Sequence, residues 1–469
     1  MNYILPEANG QLKFGFSETF LMIPSCLPGF TNSDTDTLST QSGRSAFLLK
    51  GSMELAESER VCTCGCRMHK NTSTNVTLRH LPFGSSYTAL NFDKAQLFCP
   101  ECKATKMQYI PFAAPGHRMT VGLYTYTRDL LARGTYTLKE VAELTGLGKN
   151  TVKDIDLKRL KEKYTLDGET LCRPEKQALF LGIDEFKLHN GYKYATHITD
   201  LHTGHILWIQ TGKKKQVVYD FIEHVGLDWM QDVKAVACDM NSDFQEAFME
   251  KCPHIQIVFD HFHIIKNFNE KVVAPVRISE QKRLLREGDA EAAESLKRTK
   301  YILTSKRSTL QKKDAEAREG KVISKGSTLF REEQRVRTEG HEARYDALLK
   351  ENQLLFTIDL IKEKLDHAYR LTDPAKMGTA IGDIVWHCMN TGNEHFEWFG
   401  RLLMNHHDGI VSYAMYHIST GKMEGINNKI KTLRRQGYGY PDDEYFFLKL
   451  IDMSRVDYVR NPKSHKFCD

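Results

Sequence analysis

The chain has 469 residues, 41% hydrophobic and 27% charged, which is long enough for about three domains of ~100–200 residues and too apolar for global disorder. Its 65 basic residues are nearly balanced by 60 acidic ones, and a net charge of +5 names no partner by itself. No run of ~18 uninterrupted apolar residues occurs, and no basic flank leads into an apolar stretch near the start, so neither membrane insertion nor secretion is expected.

Residues 1–45 read as a lead-in, with a turn- and hydroxyl-rich stretch from Thr31 to Ser42. Five of the eleven cysteines, Cys62, Cys64, Cys66, Cys99 and Cys102, then fall within one segment, 46–117. They flank strand-like runs such as Ser86 to Leu90 and Gln96 to Phe98. Clustered thiols without a leader favour a metal site over a disulfide framework. Cys99-x-x-Cys102 supplies half of a tetrahedral zinc site, and Cys62-Thr63-Cys64-Gly65-Cys66 offers three thiols for the other half, with His69 a further candidate. A small zinc ribbon with a structural Zn²⁺ is expected, five thiols competing for four places.

The period turns helical over 118–170, with a break at Ala132-Arg133-Gly134. Thr137 to Lys153 has the apolar spacing of two short helices joined through Thr145-Gly146-Leu147, as in a helix-turn-helix. Lys149, Asn150 and Lys153 would stand early in its second helix, where side chains reach base edges and phosphates. In 171–263 the runs Gln177–Asp184, Lys193–Thr199 and His205–Thr211 read as three antiparallel strands. Helix (Lys215–Trp229), strand (Val233–Asp239), helix (Ser242–Lys251) and strand (Ile255–Asp260) follow. This order predicts a mixed sheet covered by helices, in an α+β, ribonuclease-H-like arrangement. Residues 264–415 are charged and helical in character and read as an insertion; Lys282 to Arg344 mixes Lys and Arg with Glu, as a solvated helical face does. In the last segment, 416–469, a helix from Lys422 to Arg435 follows a Thr420 cap, and the turn at 437–441 precedes a helix from Glu444 to Met453.

In a ribonuclease-H-like sheet the first and fourth strands lie side by side, ~4.8 Å apart. Asp184 and Asp239, at the ends of those two strands, can therefore approach at one lip and share a cation. Carboxylates suit Mg²⁺ or Mn²⁺, and two such ions ~3.5–4 Å apart serve phosphodiester cleavage. Glu424, in the first turn of the 422–435 helix, is the candidate third ligand; it shares a polar face with Asn428, Lys431 and Arg435, opposite Ile426, Ile430 and Leu433. Lys431 and Arg435 would meet phosphates. Asp260, at the end of the fifth strand, is the rival for the second position; one strand further from Asp184, it is assigned with His263 to an accessory role, bonding to each other or to substrate.

Together these residues resemble the ISL-three family of bacterial insertion-sequence transposases. The resemblance runs from Cys62 to Leu450 through His80-Leu81-Pro82-Phe83-Gly84, Phe98 to Cys102, Gly182-Ile183-Asp184-Glu185, Cys238-Asp239-Met240, Asp260 to His263, and Glu424-Gly425-Ile426-Asn427-Asn428-Lys429-Ile430-Lys431, with Arg435 and Gly437-Tyr438-Gly439 behind. It implies a zinc-binding N-terminal domain, a helix-turn-helix, and a ribonuclease-H-like core interrupted by a helical insertion. It also implies an acidic triad at Asp184, Asp239 and Glu424 and an accessory Asp-x-x-His at Asp260 and His263. One departure stands out: the first cysteine pair of the family is usually Cys-x-x-Cys. The implied reaction is Mg²⁺-dependent hydrolysis at terminal inverted repeats followed by attack of a 3′-hydroxyl on target DNA. The implied setting is a homodimer on double-stranded DNA in the bacterial cytoplasm, associated with the nucleoid. The competing expectations are a DNA-binding regulator that has lost its chemistry and a zinc-dependent hydrolase.

Overall fold

A computed structural model describes residues 27–455 except 41–42, 190, 192, 241, 329–330, 337, 419–420 and 438–439, together with a small hairpin of strands Ile4–Pro6 and Leu12–Phe14. The expected Thr420 cap and the middle of the 437–441 turn lie outside the described residues. The chain divides into two compact units, 1–172 with 433–469, and 173–432.

The first unit begins with a five-stranded sheet. Strands β1 (Phe30–Ser39), β2 (Ser45–Met53), β3 (His69–Phe83) and β4 (Ser86–Phe98) lie in the order β1-β2-β4-β3, and β5 (Thr105–Met107) pairs with β4. Part of the expected lead-in is thus a strand. β1 is an outer strand paired only with β2, and Phe30 is its one buried residue. Its Thr, Asp, Asn and Ser side chains face water, which gives the sequence the composition of a loop. Phe30, Leu49, Leu78, Leu90 and Phe92 form the apolar row beneath.

Three helices follow: α1 (Val121–Ala132), α2 (Leu138–Thr145) and α3 (Lys149–Tyr164). The Thr137 hydroxyl accepts the Glu140 N–H while the Glu140 carboxylate accepts the Thr137 N–H, a reciprocal cap that fixes where α2 starts. Gly146 ends α2 at φ +71°, a left-handed backbone that costs glycine nothing. Leu123, Leu130, Leu131, Val141, Val152 and Ile155 close the three-helix core.

The second unit is built on a five-stranded mixed sheet. Strands β6 (Phe180–Lys187), β7 (Tyr194–Asp200), β8 (Ile206–Thr211), β9 (Ala235–Cys238) and β10 (Gln256–Phe259) take the order β8-β7-β6-β9-β10. The first three are antiparallel, and β9 runs parallel to both β6 and β10. First and fourth strands are therefore neighbours, an order consistent with a ribonuclease-H-like architecture. One face of the sheet, carrying Leu181, Ile183, Val236, Cys238 and Phe259, packs against α4 (Lys215–Val225), α5 (Ser242–Lys251) and the helices that follow α6 (His261–Phe268).

Between 274 and 405 lie the helices Ala274–Arg286, Arg307–Arg318, His341–Glu351, Gln353–Ala368, Pro374–Met389 and Glu394–Asn405. Their buried residues recur at helical spacing, as in Leu355, Ile358, Ile361 and Leu365 or Met377, Ile381, Ile384 and Cys388. One part departs from the helical expectation: Val322–Thr328 and Arg331–Val336 pair as an antiparallel hairpin. Val322, Ile323 and Thr328 are β-branched, and Gly320, at φ +67°, ends the preceding helix.

Helix α7 (Gly421–Gln436) lies on the other face of the sheet, where Met423 joins Leu201, Ala235, Ala237 and Val258. The last helix, α8 (Asp443–Ser454), expected alongside the glutamate-bearing helix, packs on α3 of the first unit. Its anchor is a buried ionic cluster. Asp156 is 0% exposed and accepts from Arg159, the Tyr445 hydroxyl (2.8 Å) and the Lys449 ammonium (2.6 Å), while Asp452 accepts from Arg159 (2.8 Å), Lys163 (3.0 Å) and Tyr164 (2.6 Å).

Candidate active site and metal centre

In the second unit, register sets the site. Ile183 of β6 is paired with Cys238 of β9, and Cys238 with Phe259 of β10. The next residue along each chain is an aspartate, so Asp184 stands abreast of Asp239 and Asp260; the latter two directly follow β9 and β10, whereas β6, expected to end at Asp184, runs on past it to Lys187. His197 of β7, register partner of Asp184, extends the row to a fourth strand. Side chains alternate along a strand, so this row shares its face with Phe180, Gly182, Ala235 and Ala237, the face that α7 covers.

Small residues allow α7 to come close. A Cβ on Gly182 would lie 2.4 Å from Met423 Sδ and 2.8 Å from Leu201 Cδ2. Met423 sits over Gly182, and Asn427, four residues further along the helix, meets Asp184, two residues further along the strand. The two steps span ~6 Å and ~6.8 Å, so helix and strand stay in step.

Asp184 is half-buried. Its Oδ1 accepts the Glu185 N–H (2.8 Å), and its Oδ2 accepts the Asn427 side-chain N–H (2.6 Å). Burial pushes its carboxyl above the usual carboxylate range and the charge of Asp239 adds to this, while the Glu185 N–H, His263 and Asn427 oppose it. Glu185 is likewise raised, chiefly by burial, with Lys213 opposing. A divalent cation would relieve both the desolvation and the repulsion, so the oxygen donors fit a hard ion. Asp239 is more open, its side chain 50% exposed; it accepts the Met240 N–H (2.7 Å) and faces His263 Nδ1 at 3.3 Å.

His263 therefore pairs through its side chain with Asp239, whereas the Asp260 side chain accepts the Phe262 N–H and caps α6. Asp260 is buried, with Tyr369 and Tyr413 near its charge. Of the apolar face expected for α7, Ile426 and Ile430 are buried and Leu433 is half-buried, while Glu424, Asn428, Lys431 and Arg435 are exposed as expected; Met423 is buried as well. Glu424 lies three residues before Asn427, the spacing that puts two helical side chains on neighbouring positions. Its carboxylate is not drawn into a closed set with Asp184 and Asp239. Among the described residues, the one group of three or more ligand atoms within 4.8 Å of one another is formed by cysteines.

Those are Cys62, Cys64, Cys99 and Cys102, in the first unit. The Cys62 and Cys102 sulfurs are 3.4 Å apart and those of Cys64 and Cys99 3.6 Å. Zn–S bonds of ~2.3 Å in a tetrahedron require sulfurs ~3.8 Å apart, so the cluster fits a structural zinc. The Cys64 backbone N–H and the Cys102 sulfur bring the Cys62 thiol down to about 6, toward the thiolate a metal binds. Two tight turns build it: Cys62 N–H donates to Cys66 O, and Lys103 N–H to Cys99 O. Cys66 supplies the first of these acceptors and is outside the cluster, as is His69. Cys66 thus enters the turn through its carbonyl, and its sulfur lies outside the group of four.

Of the residues expected to meet DNA through α3, Lys149 and Asn150 are exposed in its first turn. Lys153 is instead committed to Asp442 (2.8 Å) and lies over the Tyr445 ring. Two residues of the carboxylate site went unassigned from sequence, His197 and Asn427. Asn427 stood beside the chosen polar face of its helix, and nothing local distinguishes it from Asn428. No described helix is long and apolar enough to cross a membrane.

Comparison with known proteins agrees with this geometry. Residues 181–450 match the ISL3 family model, described as a transposase. The chain is 27% identical over 389 residues to the transposase for insertion sequence element IS1001 of Bordetella parapertussis, covering 82% of this chain and 86% of that one. It is 22% identical over 262 residues to the transposase for insertion sequence element IS1557 of Mycobacterium tuberculosis, covering 55% and 56%.

Proposed function

The chain belongs to the ISL3 family of DDE transposases, and from that premise we propose that it cuts and rejoins DNA at the terminal inverted repeats of its element, with Asp184, Asp239 and Glu424 holding two divalent ions. The observation that carries this reading is the register: Asp184 and Asp239 directly follow the paired residues Ile183 and Cys238 on adjacent parallel strands. Bound Mg²⁺ or Mn²⁺ supplies activation of the attacking hydroxyl and stabilisation of the leaving oxygen. The protein does the rest. Asp184, poorly hydrated, binds a cation more strongly than an exposed carboxylate would. Asp239 is open to an approaching strand, and His263 orients it. Glu424, three residues before Asn427 on α7, is the third ligand of this reading, and Lys431 and Arg435 further along that helix take phosphates.

In the same reading α2 and α3 form a helix-turn-helix in which Lys149 and Asn150 contact double-stranded DNA, the cysteine cluster holds a structural Zn²⁺, and a homodimer brings two ends together. First, water hydrolyses the strand at the element's end; the freed 3′-hydroxyl then attacks target DNA, displacing a 3′-oxygen and conserving the number of phosphodiester bonds.

The test is cleavage of labelled inverted-repeat duplex in Mg²⁺ or Mn²⁺. Asp184→Asn, Asp239→Asn and Glu424→Gln are expected to abolish nicking while leaving end binding intact, and one fully active variant among them overturns the assignment. The exposed Glu424 favours a second reading, a DNA-binding regulator without chemistry. Metal-dependent nicking by the wild type excludes it.

A further inference from the structure

Asp184 Oδ2 accepts its hydrogen bond from a side-chain amide, and an amide has two ends. Turned about, Asn427 would put its oxygen against the carboxylate and repel it. What fixes the amide is His197, directly opposite Asp184 in β7 and 0% exposed. Its Nδ1 lies 3.0 Å from the Thr199 hydroxyl. With that hydroxyl donating, the ring carries its proton on Nε2 and presents a donor to whatever faces it. Its burial lowers the ring's pKa, and the Asn427 side chain opposes that shift. Asn427 Oδ1 and His197 Nε2 are both buried, and neither has a hydrogen-bond partner among the described residues. The amide's N–H₂ end is held by Asp184, which leaves its oxygen as the acceptor available to a His197 Nε2–H.

We propose that Asn427 is a positioning residue for Asp184 and that His197 and Thr199 set the direction of its amide, a relay that fixes the carboxylate's rotation before metal arrives. The inference rests on the reading of Asp184 as a metal-holding carboxylate. One lone pair on each oxygen is committed to the protein, by Glu185 N–H and by Asn427, and the remaining pairs keep one orientation. Partners of this kind change metal affinity or activity by ~10–100-fold when removed.

The experiment uses the full chain and counts free Mn²⁺ by electron paramagnetic resonance, alongside the Mn²⁺ concentration for half-maximal nicking of labelled inverted-repeat duplex. Asn427→Ala is expected to raise both by ~10–100-fold, with nicking restored at high Mn²⁺, a rescue that a merely structural defect would not show. His197→Ala is expected to act in the same direction. His197→Gln keeps an N–H near the position of Nε2 and is expected to recover most of the affinity; it also decides the matter if the alanine variant fails to fold. Wild-type Mn²⁺ binding by Asn427→Ala, with binding lost in Asp184→Asn, overturns the relay and leaves the catalytic reading standing. Wild-type binding and nicking by Asp184→Asn instead overturns the catalytic reading beneath it.

Discussion

Gly182→Ala tests the packing on which the carboxylate site depends. The added Cβ would lie 2.4 Å from Met423 Sδ, 2.8 Å from Leu201 Cδ2 and 3.1 Å from Met423 Cγ. Ordinary contact needs about 3.5–4 Å, so the helix or its methionine must withdraw by about 1 Å. Met423 is 1% exposed and Leu201 8%, which leaves neither much room to turn aside. Overpacking of this kind costs ~1–3 kcal/mol. A shift of ~1 Å at α7 would also stretch the 2.6 Å bond from Asn427 to Asp184 beyond 3.5 Å and cost up to ~100-fold in turnover through misplacement alone. The assay is paired: thermal unfolding of the full chain, and nicking at saturating Mn²⁺. Both are expected to fall, and Met423→Ala introduced into the Gly182→Ala background is expected to restore part of the nicking by removing the contacts with Met423 while that with Leu201 remains. Unchanged unfolding and nicking in Gly182→Ala would refute the close packing of α7 on β6.

Three further predictions concern the first unit. Cys62→Ser or Cys99→Ser is expected to abolish zinc retention and destabilise that unit, and chelation to do the same to the wild type, whereas Cys66→Ser retains stoichiometric zinc; metal analysis with limited proteolysis reads the difference. Burial favours a protonated Asp452, but Arg159, Tyr164 and Lys163 outweigh it and hold the carboxyl below its ordinary value. A group depressed in the folded state stabilises fully above its unfolded pKa, ~3.9, and loses that contribution as pH falls through the folded value. Stability measured from pH 7 to 2 should therefore decline below about pH 4, and Asp452→Asn should flatten that part of the decline. Asp156→Ala, which strands Lys449 and leaves Arg159 with Asp452 alone, is expected to cost ~3–5 kcal/mol.

Much of the second unit was legible because its signals are local. Short apolar runs separated by glycine turns give the succession of strands, and the ribonuclease-H-like arrangement expected of that succession makes Asp184 and Asp239 neighbours. The phase of α7 was equally plain, since Ile426, Ile430 and Leu433 repeat at helical spacing. What escaped depends on partners distant in sequence. Asn427 gains its role from Asp184, 243 residues earlier, and Lys153 is committed to Asp442, 289 residues later. β1 escaped for another reason: an outer strand with one buried residue carries no apolar alternation to read. Five cysteines could not be reduced to four until the turn at 62–66 placed the backbone, and not the thiol, of Cys66 in the knuckle.

The ionic cluster that joins α3 to α8 sets an order of events during synthesis. Asp156 emerges from the ribosome 289 residues before Tyr445 and 293 before Lys449. At ~5–20 residues per second, α3 waits roughly 15–60 s for the two side chains that complete the shell around Asp156. The whole 173–432 segment is extruded in that interval. The unit bearing Lys149 and Asn150 is finished only after the unit bearing Asp184 and Asp239 has been made.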